Sequence, residues 1–172
     1  KKDQSDLYLI QELKCTNDSF PKEDLENINY CLYAIRTELE DYRLAHALNL
    51  TLGSRLNRKD FDLDTGSSSE NLFPVFEWNN IVFDTNWNLI KNSCKVEQKN
   101  QGQGLFANSS EATTKTVNLL EDHPSVDYFL KIDGQISPSQ KIISTINKIP
   151  DISMVYNVDL DNIKSKEYLI LD

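Results

Sequence analysis

The chain is poor in the residues from which most chemistry is built. It has only two histidines and three cysteines in 172 residues. His46 and His123 stand alone, and two isolated histidines do not make a zinc site. Cys15, Cys31 and Cys94 are far apart with no C-x-x-C pair. They read as reduced, mostly buried thiols of a cytosolic protein rather than as a metal ribbon or a redox pair. Gln101-Gly102-Gln103-Gly104 lacks the Gly-Lys-Ser/Thr ending of a phosphate loop, and no strand leads into it. No apolar run approaches the length of a membrane span. The brief run from Leu7 to Ile10, cut off by Gln11 and Glu12, is too short for a secretory leader. The chain does not begin with Met, so a missing native start is expected. Basic residues are outnumbered, and the net charge of −9 argues against a nucleic-acid-binding surface. These absences leave cofactors at none, metals at none and catalytic residues at none.

What is present is a well-patterned core. Hydrophobic residues make up 39% and charged residues 26%, which places the chain among globular proteins. The stretch Val126-Asp127-Tyr128-Phe129-Leu130-Lys131-Ile132 has one strand's length and is apolar on both faces at Phe129 and Leu130. It reads as a central strand. After the Asp133-Gly134 turn, Ser137-Pro138-Ser139-Gln140 has the form of a capping box with proline at the first helical position. Ile142, Ile143, Ile146 and Ile149 then form one helical stripe over 138–149. Past Pro150-Asp151, the residues Ile152, Met154, Tyr156 and Val158 alternate with polar ones, as in a strand with one apolar face. Strand, helix and strand with short links predict a βαβ unit with parallel strands and a right-handed crossover. A last short strand is expected from Tyr168 to Leu171.

The first half carries a second strand–helix pair. Residues 28–37 are strand-like and apolar on both faces. Thr37-Glu38-Leu39-Glu40 is a second capping box, opening a helix that runs to Leu52, with Gly53 as its stop. Leu44, Leu48 and Leu52 line one side, with Ala45 beside them. Arg55, Arg58 and Lys59 precede an acidic stretch and suggest a strand edge or solvated loop. Segments 73–78 and 81–90 flank Asn79-Asn80 and predict a hairpin with its turn there. Residues 1–27 read as an N-terminal strand at 7–13 and a connection, 96–112 as a long mobile loop, and 113–120 as a strand. The expected architecture is a single α+β domain over 1–172. A mixed sheet of about five to seven strands carries two main helices on one face. The two strand–helix units resemble a split βαβ sandwich of the ACT-like kind, a likeness of fold alone.

Four blocks of residues together resemble a known family. They are Glu40-Asp41-Tyr42-Arg43-Leu44-Ala45 with Leu48-Asn49; Thr85-Asn86-Trp87-Asn88-Leu89-Ile90 leading to Cys94-Lys95; 114–120 followed by Val126-Asp127-Tyr128; and Lys164-Ser165-Lys166 before Leu169-Ile170. The pattern is similar to that of the bacterial IPExxxVDY family, over about residues 28–171. Val126-Asp127-Tyr128 keeps the second half of that motif. Leu120-Glu121-Asp122 stands where the first half would be, so the proline is lost and the acid shortened. The resemblance implies a small cytosolic bacterial protein and carries over no catalytic residue.

The family blocks and the chemistry of the anchor strand single out Asp41, Arg43, Asn49, Trp87, Asp127, Tyr128 and Lys131 as candidate structural or interaction residues. Asp127 needs a partner if buried in an apolar strand, and Arg43 is expected to supply it bidentately. Trp78 and Trp87 are expected in the core, and His46 on a helix face. The resulting expectation is a non-enzymatic adaptor or regulatory protein acting on an unidentified protein partner. A small-ligand-binding regulator, with a homodimer through a sheet edge as an option, is the alternative. An enzyme with an unrecognised site ranks last.

Overall fold

The computed structural model describes residues 30–65, 71–99, 112–134 and 138–171; the expected strand at 7–13 lies outside them. Ten strands and two α-helices follow in order among the described residues: β1 (Tyr30–Thr37), α1 (Asp41–Leu52), β2 (Asn57–Arg58), β3 (Leu63–Asp64), β4 (Leu72–Phe73), β5 (Val75–Asn80), β6 (Thr85–Lys91), β7 (Ser93–Lys99), β8 (Ala112–Asn118), β9 (Tyr128–Asp133), α2 (Gln140–Ile146) and β10 (Ile152–Asn157). Six of the strands form one sheet in the order β10-β1-β9-β6-β5-β2, and each neighbouring pair is antiparallel, so the sheet is not the mixed one expected. β7 pairs with β8, and β3 with β4, in two small separate sheets. The fold is α+β.

The anchor strand is interior, as its apolar faces predict: β9 lies between β1 and β6. β9 and β10 are both antiparallel to β1 and so run the same way, as the βαβ spacing predicts. They do not touch, because β1 fills the slot between them. One strand–helix unit is thus threaded into the other, the split arrangement foreseen above.

Strand alternation divides the core in two. On one face Tyr33, Ile35, Trp87, Leu89, Tyr128, Leu130 and Ile132 meet Leu44, Leu48 and Leu52 of α1 and Ile142 and Ile146 of α2. Both helices therefore cover the same face. Each such side chain contributes roughly 1.5–3 kcal/mol on burial, which offsets the modest helix propensity of the β-branched α2 sequence. On the other face Leu32, Ala34, Ile90 and Phe129 pack under Leu119, Leu120, Val158, Ile163 and Leu169.

Several local expectations are corrected. Helix α1 begins at Asp41 with Glu40 as its cap residue and no side-chain cap. The Thr37 hydroxyl does not form a capping box; it accepts the Leu39 N–H at 3.1 Å and donates to the Asp151 carbonyl at 2.7 Å, because Thr37 still belongs to β1. Gly53 does end α1 in the left-handed region, at φ 71°. Helix α2 is capped by Ser139, whose hydroxyl accepts the Lys141 N–H at 3.2 Å. It stops at Ile146, so Ile149 is buried from the turn that follows. Asn79 and Asn80 pair with Asn86 and Thr85, and the chain reverses over 81–84 instead, with Asp84 at φ 51°. Residues 96–99 and Ala112 belong to β7 and β8, so strand pairing takes both ends of the expected mobile loop. β10 has no single apolar face: a register shift beside Arg36/Thr37 sends Ile152 and Val155 to the helix layer, Tyr156 to the other core, and leaves Met154 51% exposed. Lys166–Leu169 is a 3-10 turn rather than a last strand.

Candidate binding site

Most of the residues singled out by sequence turn out to hold the fold together. Asp127 does not pair with Arg43. Its Oδ2 accepts the backbone N–H of Thr37 at 2.9 Å, while exposed Arg43 donates from Nε to the Tyr42 hydroxyl at 3.2 Å. The strand end reaches the backbone of β1 directly, so no cation is needed. Asn49 is a loop clamp: Nδ2 donates to the Leu56 carbonyl at 3.0 Å, and Oδ1 accepts from Ser54 Oγ at 2.8 Å and Leu56 N–H at 2.7 Å. The Tyr128 hydroxyl donates to the Leu39 carbonyl at 3.0 Å, under α1. Trp87 is buried, donates to Thr85 Oγ1 at 3.1 Å, and lies 5.6 Å from the Trp78 ring, in the core as expected. Asp41 accepts the Tyr42 N–H at 2.7 Å in the first turn of α1. His46 is exposed on the helix.

Lys131 is different. It sits on the face of the sheet opposite the helices, and so do its cross-strand neighbours. The register builds two polar rows there. In the first, Glu77 of β5, Asn88 of β6, Lys131 of β9 and Leu32 of β1 lie side by side. In the second, Asn79, Asn86, Asp133 and Tyr30 do. The next row toward the other end, Val75, Ile90, Phe129 and Ala34, is apolar. Half of this face is therefore core and half is a polar grid.

Each carboxylate of the grid has a cation beside it. Lys131 Nζ lies 2.7 Å from Asp133 Oδ1 and 4.8 Å from the centre of the Tyr30 ring. Burial, and then the nearby Asp133 charge, raise the Tyr30 phenol above its ordinary pKa. Lys59 Nζ lies 3.6 Å from Glu77 Oε2, and Asn86 Nδ2 donates to Glu77 Oε1 at 3.1 Å. Between these two ion pairs Asn88 is fully buried, and neither its Nδ2 nor its Oδ1 has a hydrogen-bond partner; Asn86 Oδ1 also has none. An unpaired buried polar group costs roughly 1–3 kcal/mol, and such groups are few in folded proteins. Sequence alternation puts Asn86 and Asn88 on one face opposite Trp87 and Leu89, but a polar face in a strand ordinarily means solvent. Nothing in the pattern announces burial. Among the described residues no group of three or more His, Cys, Asp or Glu could hold a metal ion.

A second feature lies at the same end of the sheet. In the β5–β6 turn, Ile81 and Val82 are 87% and 82% exposed. The turn is braced from behind by Gly134: a Cβ there would stand 2.9 Å from the Asp84 carbonyl oxygen.

The chain matches no protein-family model, no curated protein and no solved structure. Lys164 Nζ lies 3.0 Å from Asp122 Oδ1, and this bond is the main cause of the lowered Asp122 pKa. No helix among the described residues is long and apolar enough to cross a membrane.

Proposed function

We propose that the protein is a non-enzymatic adaptor or regulatory protein that works by contact with a protein partner, through the β5–β6 turn. The observation that carries this reading is the pair Ile81 and Val82, two adjacent branched apolar side chains held almost fully in solvent. Burying each against a partner is worth roughly 1.5–3 kcal/mol. A braced turn loses little freedom on docking, which keeps more of that energy as affinity. The same proposal places the chain in the cytosol and in the IPExxxVDY family. The buried thiol of Cys94, in no disulfide, supports the first, and the four motif blocks support the second.

The test is quantitative co-purification by the tagged full chain from its native cells. The double variant Ile81→Ser, Val82→Ser is compared with Leu50→Ser, a change at another exposed apolar residue. The expected result is loss of specific proteins with the turn variant alone, while both variants melt like the parent. The same proteins retained by the turn variant would overturn the reading.

A further inference from the structure

We propose that the two polar rows form a site for a small zwitterion, a molecule carrying a primary ammonium and a carboxylate a few bonds apart. The inference stands on Asn88 and does not depend on the turn contact. The unused hydrogen-bonding atoms are one amide donor group, Asn88 Nδ2, and two acceptors, Asn88 Oδ1 and Asn86 Oδ1. Beside them stand a positive and a negative charge, Lys131 Nζ and Asp133 Oδ1. An ammonium has three donors and no acceptor, and a carboxylate only accepts. The two free acceptors and Asp133 therefore suit an ammonium. The Asn88 donor and Lys131 suit a carboxylate.

Charge balance points the same way. Among the described residues, Lys131 stands beside Asp133 and Lys59 beside Glu77, so each carboxylate of the two rows already has a cation next to it. A ligand with one charge would satisfy one flank and leave the other opposed; a zwitterion satisfies both. Depth is graded: the carboxylate side chains of Glu77 and Asp133 are each 33% exposed, Lys131 is 7% exposed, and Asn88 is sealed. Glu77 and Asp133 thus form the rim and Asn88 the floor. The floor is closed as it stands, so binding requires Lys131, long and flexible and next to Asn88 in the same row, to swing aside. The orphaned amide is then a stability cost retained for binding, the usual trade between stability and function.

The experiment is thermal melting and calorimetry of the full chain with glycine, β-alanine and γ-aminobutyrate as probes, and with ethylamine and acetate as single-charge controls. At least one zwitterion is expected to raise the melting temperature at millimolar concentration, while ethylamine and acetate do not. Asn88→Leu should melt higher than the parent without ligand and lose the ligand-induced shift. Lys131→Met, which keeps the stem of the side chain, should weaken binding by about tenfold or more. No shift from any zwitterion, equal shifts from acetate or ethylamine, or a shift that survives in Asn88→Leu would each overturn the proposal. A zwitterion that still binds the turn variant separates this site from the protein contact.

Discussion

The carboxylate of Asp127 accepts the backbone N–H of Thr37 at 2.9 Å, and the Asp127 N–H donates to the Ile35 carbonyl at 3.1 Å. The residue thus ties the entry of β9 to the end of β1, just where β1 shifts register against β10. Replacing it with Ala leaves the partly buried Thr37 N–H without its acceptor. Asp127→Ala is expected to lower stability by about 1–3 kcal/mol, whereas Arg43→Ala, at an exposed residue, should leave it essentially unchanged. Urea denaturation of the two variants checks this. A destabilising Arg43→Ala with a neutral Asp127→Ala would restore the ion pair that the geometry excludes.

The contrast with the expected Asp127–Arg43 pair shows where sequence reading works in this chain. Runs that are apolar on both faces, such as 128–132, and stripes at helical spacing, such as Leu44, Leu48 and Leu52, predict their own burial because the pattern and its cause are local. The partner of Asp127 is a backbone amide some 90 residues away in sequence, which carries no side-chain signature. The sealing of Asn88 is equally silent, since alternation assigns a face but not what lies over it. The insertion of β1 between β9 and β10 depends on long-range pairing, so the βαβ spacing foretold direction but not adjacency.

Asn92 is a second such device. It is fully buried between β6 and β7. Its Nδ2 donates to the carbonyls of His123 at 2.9 Å and Val126 at 2.8 Å, and its Oδ1 accepts the Leu120 N–H at 3.0 Å. Its backbone adds bonds to Asp127 and Leu119. One side chain therefore shapes the whole turn leading into β9. Asn92→Ala should cost about 3 kcal/mol or more, since it strands three backbone groups. Asn92→Asp should be worse still, because it turns a buried acceptor charge on two carbonyls. Melting temperatures in the order parent, Ala, Asp are expected; an Asp variant as stable as the parent would show that the amide donors contribute nothing.

Stability should decline in alkali before any general unfolding of a charged surface is invoked. Burial pushes the Cys31 thiol from 9.0 to about 11, and the Tyr33 phenol from 10.0 to about 12. Burial also raises Tyr128, helped by the charges of Asp41, Asp127 and Glu40. All three are acids held neutral in the folded state. The unfolded chain releases their protons first, so their contribution is complete below the unfolded values and is lost as pH rises through the folded ones. The window runs from about pH 9 to about pH 12 on the Cys31 and Tyr33 values. Tyr33 also accepts the Ser139 N–H at 3.0 Å, where α2 begins. Tyr33→Phe should therefore be less stable than the parent near neutrality, yet lose less between about pH 10 and about pH 12. Denaturant midpoints measured across that range test both signs; parallel pH curves for the two proteins would rule out the Tyr33 contribution.

The last expectation concerns Gly134, which follows β9 at φ 127°, a backbone region that side chains rarely adopt. A Cβ there would meet the Asp84 carbonyl oxygen at 2.9 Å and the Thr85 methyl at 3.0 Å. Space and dihedral both demand glycine, and neither neighbour can yield easily: Asp84 holds its own left-handed turn at φ 51°, and Thr85 is buried beneath the Trp87 indole N–H it accepts. Gly134→Ala should cost roughly 1–3 kcal/mol from backbone strain, with the contact adding to it. The strain falls on the turn that presents Ile81 and Val82. Amide hydrogen exchange over residues 81–85 should therefore rise in Gly134→Ala more than exchange in β1 or β9. A uniform rise across the sheet would mean that glycine stabilises the whole fold without bracing this turn, and partner contact through the turn would lose its claim to rigidity.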